Sequence, residues 1–304
     1  MQEKLQILDG IRLNFSPTSL VIMNVILAFV MFGIALRIDF SDFKAVIRSP
    51  RSFIAGVCSQ LVLLPLITFL FCWVLKPLLS PSIAMGLILV AACPGGNISN
   101  FITTLAKGNI SLSIAMSAFS TLVCVIMTPL NFSFWGNLYS STSKLVMPIT
   151  IDFWEMAQTV LVLLGIPIVL GILFSRHFPR ITKKITNPMS VFSIIAFIGF
   201  VAAALIANFD FFMRFIHLIG FLVIAHNALA LLTGYCAGRA TRLPYKDLRS
   251  ITIETGIQNS GLGLVLIFNP HLFNGLGGMA FIAAWWGIWH IISGMGLALW
   301  WSRR

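Results

Sequence analysis

Nine stretches of the chain are apolar for about the length a bilayer crossing needs, roughly 20 residues. They lie at about 19–37, 52–75, 82–107, 109–130, 152–176, 189–207, 215–238, 245–269 and 277–300. The pattern predicts an all-α polytopic membrane protein of about nine transmembrane helices. Two of the stretches are interrupted. In 82–107 an apolar half from Ser82 to Ala92 meets Cys93-Pro94-Gly95-Gly96-Asn97 and resumes at Ile98. In 245–269 the half from Tyr245 to Glu254 meets Thr255 to Asn259 and resumes at Ser260. Pro94 lacks an amide donor and two glycines follow it, so the helical ladder is expected to open there. Freed polar backbone persists at membrane depth only when it is buried in protein or lines a wet cavity. Both breaks are therefore expected in an interior site.

The interruptions fall in register. Spans two, three and four run plain, broken, plain, and spans seven, eight and nine repeat that order. The two triplets start five spans apart, so the second copy crosses the membrane inverted relative to the first. Paired broken helices in inverted repeats are the architecture of secondary transporters, with the site near the midplane at the repeat interface. Spans one, five and six stand outside the triplets and are expected to form a second, smaller bundle. The one long connection, about 131–151, is expected on the outside, where Asn131-Phe132-Ser133 forms a glycosylation sequon.

Composition sharpens this picture. The chain has 304 residues, 58% of them hydrophobic and 10% charged, and a mean hydropathy of +0.96, which excludes a soluble core wrapped in a polar surface. The net charge of +11 points to topology and not to nucleic acid. With alternate loops on one side, 15 of the 20 Lys and Arg share the side of the C-terminus. The positive-inside rule then places the N-terminus outside and the C-terminus in the cytoplasm. Residues 1–16 are polar with no cleavable apolar region, so the first span is expected to stay as an anchor. Trp300-Trp301-Ser302-Arg303-Arg304 reads as an aromatic belt with a basic anchor, and Asp39 and Asp42 after Arg37 read as interfacial. The five cysteines show neither CxxC spacing nor an even count, and imply no disulfide framework or metal site.

Glu254 carries the sharpest chemical signal. A carboxylate inside a membrane segment is costly, and by default marks an ion or proton site. Gln258 is four residues on, across the break. The facing candidates are Gln60 in span two, Ser99 and Asn100 past the first break, and Ser113, Ser117 and Thr121 along one face of span four. Carboxylate, amide, hydroxyl and backbone oxygens are the ligands of hard cations, and sodium suits this set. A hydroxyl stripe at helical spacing also mediates plain helix packing, as does Gly234-xxx-Gly238. The half-helices that begin after the breaks would turn amides toward an anion. His226-Asn227 and His290 are the remaining intramembrane polar groups, read as packing or substrate contacts before proton carriers.

The runs Pro94-Gly95-Gly96-Asn97-Ile98-Ser99-Asn100, Lys107-Gly108-Asn109-Ile110-Ser111-Leu112-Ser113 and Glu254-Thr255-Gly256-Ile257-Gln258-Asn259-Ser260 closely resemble the bile acid:sodium symporter family. Gln60 before Pro65, His226-Asn227, Leu243-Pro244-Tyr245 and Trp289-His290 with Ser293-Gly294 extend the likeness through nearly the whole chain. The resemblance implies one transporter domain over 1–304, with a core bundle at about 52–130 and 215–300 and a panel bundle at about 19–37 and 152–207. It implies crossing broken helices and two sodium ions behind the crossing. One ion would be held by Ser99, Asn100, Ser113, Ser117 and Glu254. The other would be held by Gln60, Gln258, Glu254 and the carbonyls of Thr255 and Ile257. Asn97, Asn259 and His290 match positions near the substrate cavity. Bacterial members resemble ten-span proteins; this chain is expected to lack their first panel helix, leaving nine as in the animal branch, to which Asn97 also conforms.

The expected function is sodium-coupled import of an organic anion, such as a bile acid or a small carboxylate like pantoate, by alternating access in a cell membrane. The lipid bilayer and the anion are the expected partners, with no obligatory protein partner. Three other readings stand beside it. Glu254 could carry a proton in a proton-coupled or passive carrier, since burial raises a carboxyl pKa. A passive channel would lack saturable, gradient-driven uptake. An intramembrane enzyme would need paired intramembrane acids, H-E-x-x-H or G-x-S-x-G, and none occurs.

Overall fold

The computed structural model describes residues 2–11, 17–36, 38, 50–96, 98–143, 152–207, 209–269, 271–273 and 275–303. Among these the chain forms helices and no named strand. They are α1 (Gln2–Gly10), α2 (Pro17–Ala35), α3 (Pro50–Val74), α4 (Pro81–Ala92), α5 (Ser99–Leu105) and α6 (Ile110–Ser143). Then follow α7 (Phe153–His177), α8 (Pro179–Ala207), α9 (Phe209–Ala240), α10 (Tyr245–Gly256), α11 (Ser260–Phe268) and α12 (Gly277–Ser302). Within them Pro50–Val74, Ile110–Thr142, Phe153–His177, Met213–Ala240 and Gly277–Ser302 are long and apolar enough to cross a membrane. The chain is a multi-pass membrane protein.

Both expected interruptions are present. α4 stops at Ala92 and α5 starts at Ser99; α10 stops at Gly256 and α11 starts at Ser260. The breaks meet each other. Gly95 and Gln258 form an isolated antiparallel bridge, with Gly96 N donating to Ile257 O at 2.8 Å and Asn259 N to Pro94 O at 2.8 Å. Each break thus satisfies backbone groups that the other leaves without a helical partner. Around this crossing α9 lies along α10, α12 packs on α4 and α11, and α6 packs on α3 and α4. α2 packs against α7 and α8.

Two expectations are corrected. The segment after 130 is not a loop, because α6 continues unbroken through Pro129 to Ser143; residues 144–151 lie outside the described part. Phe132 is fully buried and Asn131 nearly so, which removes the sequon from any surface. The polar N-terminal segment forms α1, which buries Leu5 and Leu8. It is tied to the bundle by Asp9 Oδ1, which accepts from Ser82 N at the start of α4 (3.0 Å). The terminal tryptophans divide: Trp300 is exposed, while Trp301 is buried with the Arg249 guanidinium 5.7 Å from its ring. Arg37, Asp39 and Asp42 fall outside the described residues.

α3 holds a feature that hydropathy does not reveal. Residues Ser59–Leu63 make a π-turn, closed by Leu64 N donating to Ser59 O. Pro65 explains it. Proline has no N–H to return to the carbonyl four residues earlier and its ring crowds that carbonyl, here Leu61 O. The freed carbonyl is taken by Asn131 Nδ2 at 2.9 Å. Asn131→Leu is expected to lower the unfolding temperature, since a buried carbonyl stripped of its partner costs about 1–3 kcal/mol. An unchanged melting curve of the purified protein would contradict this role.

Candidate functional site

Glu254 lies in the last turn of α10 and is fully buried. Its described partners are hydroxyls. Ser99 Oγ donates to Oε1 at 2.7 Å, Ser113 Oγ also donates to Oε1, and Ser117 Oγ donates to Oε2 at 2.9 Å. Ser99 and Ser117 Oγ atoms are themselves 3.3 Å apart. Asn100 joins through Ser113, whose hydroxyl lies 2.8 Å from Asn100 Oδ1. These five residues come from the ends of α5 and α10 and from one face of α6, and the structure brings them all together. Asp247 near the start of α10 has a separate setting, accepting from Ser52 Oγ at 2.5 Å and Asn109 Nδ2 at 2.8 Å.

A second group adjoins the first. Gln60 sits in the π-turn of α3 and donates Nε2 to the backbone oxygen of Glu254 at 3.2 Å. Gln258 donates Nε2 to Thr255 O at 2.9 Å. The other amide oxygens, Gln60 Oε1 and Gln258 Oε1, are buried with no hydrogen-bond partner. Such atoms are rare in folded proteins, because a stranded buried acceptor forfeits its hydration. The carbonyls of Thr255 and Ile257 each accept one bond, from Gln258 and from Gly96, and a carbonyl oxygen has a second lone pair. Oxygen acceptors with free capacity around a carboxylate fit a hard cation.

Two of the three predicted substrate contacts are among the described residues. Asn97 lies outside the described residues. Asn259 caps α11, its side-chain oxygen accepting from Leu262 N at 3.1 Å. His290 is buried in α12, and its Nδ1 has no partner. The half-helix starts are also less open to an anion than their sequence suggests, since Gly96 N, Asn259 N and Leu262 N are already engaged. His226 follows the packing reading: its Nε2 lies 2.7 Å from Thr68 Oγ1 and its ring stacks on Phe71.

Several residues at the site carry no signal in the chain. Ser120, one residue before the expected Thr121, reaches the break, accepting from Gly95 N at 3.4 Å. Ser59 lies 2.9 Å from Thr255 Oγ1 and Thr103 3.2 Å from Ser113 Oγ. Ser120 and Thr103 share helical faces with Ser117 and Ser99, but so do other hydroxyls such as Thr121, and the crossing of the breaks singles these out.

An interior oxygen cluster around one buried acid, where two broken helices of a multi-pass protein meet, defines a membrane transport protein. The model of the Sodium Bile acid symporter family matches residues 24–215, and the chain belongs to that family of sodium-dependent transporters. YocS of Bacillus subtilis, named an uncharacterized sodium-dependent transporter, is 33% identical over 285 residues, covering 93% of this chain and 83% of the relative. The Arabidopsis thaliana chloroplastic protein BASS1, named a probable sodium/metabolite cotransporter, is 31% identical over 288 residues, 91% of this chain and 66% of the relative. The P3 protein of Homo sapiens is 29% identical over 232 residues, 76% of this chain and 47% of the relative. The chain spans most of the bacterial relative, but smaller shares of the plant and human ones.

Proposed function

We propose that the protein is a sodium-coupled secondary active transporter of organic anions, bile acids or small carboxylates among them, working by alternating access. The observation that carries this reading is the fully buried Glu254 carboxylate at the helix crossing, ringed by Ser99, Ser113 and Ser117, beside the stranded oxygens of Gln60 and Gln258. Sodium supplies the compensating charge and takes up the free acceptor capacity. One ion is assigned to Ser99, Asn100, Ser113, Ser117 and Glu254, and a second to Gln60, Gln258, Glu254 and the Thr255 and Ile257 carbonyls. Asn97, Asn259 and His290 are assigned to contact the anion.

In this reading nine spans form two bundles. The core is built from about 52–130 and 215–300 as an inverted pair of three-span repeats, and the panel from about 19–37 and 152–207. The N-terminus lies outside and the C-terminus in the cytoplasm, following the distribution of Lys and Arg. Sodium tightens the segments around Glu254 and completes the surface that meets the anion, so that the empty and the fully loaded protein rock between states while partly loaded forms do not.

The test is uptake of radiolabelled taurocholate and pantoate into proteoliposomes. Saturable accumulation of at least one anion driven by an inward sodium gradient, and lost when potassium replaces sodium, is the expected outcome. Accumulation of either anion that is indifferent to that replacement, or that follows a proton gradient instead, would overturn it.

A further inference from the structure

Gly256 is where α10 gives way, and its carbonyl has no continuing helix to supply a donor. The donor comes from Asn227, a fully buried residue of α9, whose Nδ2 lies 2.8 Å from Gly256 O. The orientation of the amide is fixed chemically, because a carbonyl can only accept. Asn227 Oδ1 in turn accepts from Ser293 Oγ of α12 at 2.5 Å, and the same hydroxyl lies 3.1 Å from the backbone oxygen of His290.

The approach of α9 to this point is built along one face. Asn227, Leu231, Gly234 and Gly238 recur at helical spacing. A Cβ on Gly238 would lie 3.2 Å from Leu248, and one on Gly234 would lie 2.8 Å from Ile251 O and Thr252 Cα. A Cβ on Gly256 would lie 2.2 Å from Leu231 Cδ2. A side chain at 256 would therefore displace Leu231, and the glycine there leaves the backbone soft between Thr255 and Ile257, whose carbonyls are assigned to the ion. Asn227 clamps the peptide that this softness would release.

We infer that Asn227, held by Ser293, is a positioning residue for the sodium site, fixing the Gly256 peptide so that the Thr255 and Ile257 carbonyls face the ion together. The inference rests on the sodium reading above. It also joins that site to α12 through hydrogen bonds that run from Gly256 O through Asn227 to the Ser293 hydroxyl.

The experiment is a sodium titration of unfolding temperature at constant ionic strength, balanced with potassium, for wild type, Asn227→Leu, Ser293→Ala and Ser293→Thr. The sodium midpoint is expected to rise about tenfold in Asn227→Leu and several-fold in Ser293→Ala, and to return toward wild type in Ser293→Thr. A packing role alone would lower the melting temperature equally in both salts and leave the midpoint in place; midpoints within twofold of wild type in the variants that fold overturn the inference. Should Asn227→Leu not fold, the two Ser293 variants decide the matter. A wild type that does not respond to sodium at all overturns the sodium reading and this inference with it, whereas a responsive wild type beside unshifted variants overturns this inference alone.

Discussion

Replacing Glu254 with glutamine is expected to abolish sodium binding and sodium-driven uptake in a protein that still folds. The substitution keeps the side chain's volume and leaves an oxygen to accept from the surrounding hydroxyls, so the packing where α5, α6 and α10 meet survives. What disappears is the negative charge. Uncoupling one member of a buried charge pair costs roughly 3–5 kcal/mol, which corresponds to a loss of ion affinity of about two to nearly four orders of magnitude. The effect on the sodium-free protein has the opposite sign. Burying a carboxylate whose described partners are hydroxyls is costly, so in potassium the Glu254→Gln protein is expected to melt at the wild-type temperature or above it. Thermal unfolding of both proteins in each salt checks both signs at once. A variant that retains the sodium response would remove Glu254 from the ion site, and one that melts far below wild type in potassium would make it a structural residue.

Gly95→Ala is expected to separate ion binding from folding even more sharply. A Cβ at position 95 would stand 2.8 Å from Gln60 Nε2 and 3.1 Å from Glu254 Oε2. Both are ends of flexible side chains, which can move away at little cost to the fold. They are also proposed ion ligands. A displacement of a few tenths of an ångström in two ligands is expected to weaken sodium about 10- to 100-fold, equivalent to about 1.4–2.8 kcal/mol, with at most a small fall in melting temperature in potassium. The sodium midpoint of thermal stabilisation reads this directly. An unshifted midpoint would show that the approach of Gly95 to Gln60 and Glu254 has no bearing on the ion.

Much of this site is legible in the chain because membrane burial makes its chemistry conspicuous. Glu254 is an acid in apolar surroundings, Pro94-Gly95-Gly96 interrupts an apolar run, and both stand out against the lipid-compatible background without any structure. The Ser113 and Ser117 spacing places two hydroxyls on one helical face, and both reach the carboxylate. Harder to read is whatever depends on a partner far along the chain. Asn131 looks like a sequon residue in a loop until Pro65, on another helix, is seen to free the carbonyl it binds. Ser120 and Thr121 are equivalent by composition, and only the position of Gly95 selects Ser120. α1 escapes notice because its two buried leucines are spaced for one face of a short helix among polar neighbours. Its capping of α4 by Asp9 links residues with no shared pattern.

The central claim is that the crossing of the two breaks is a sodium site, and the most direct measurement is on the unmodified protein. Its unfolding temperature would be followed while sodium, potassium or choline chloride is raised at fixed ionic strength. A saturable rise with sodium alone, absent in Glu254→Gln, is the predicted result. Superimposable curves for the three cations would contradict it.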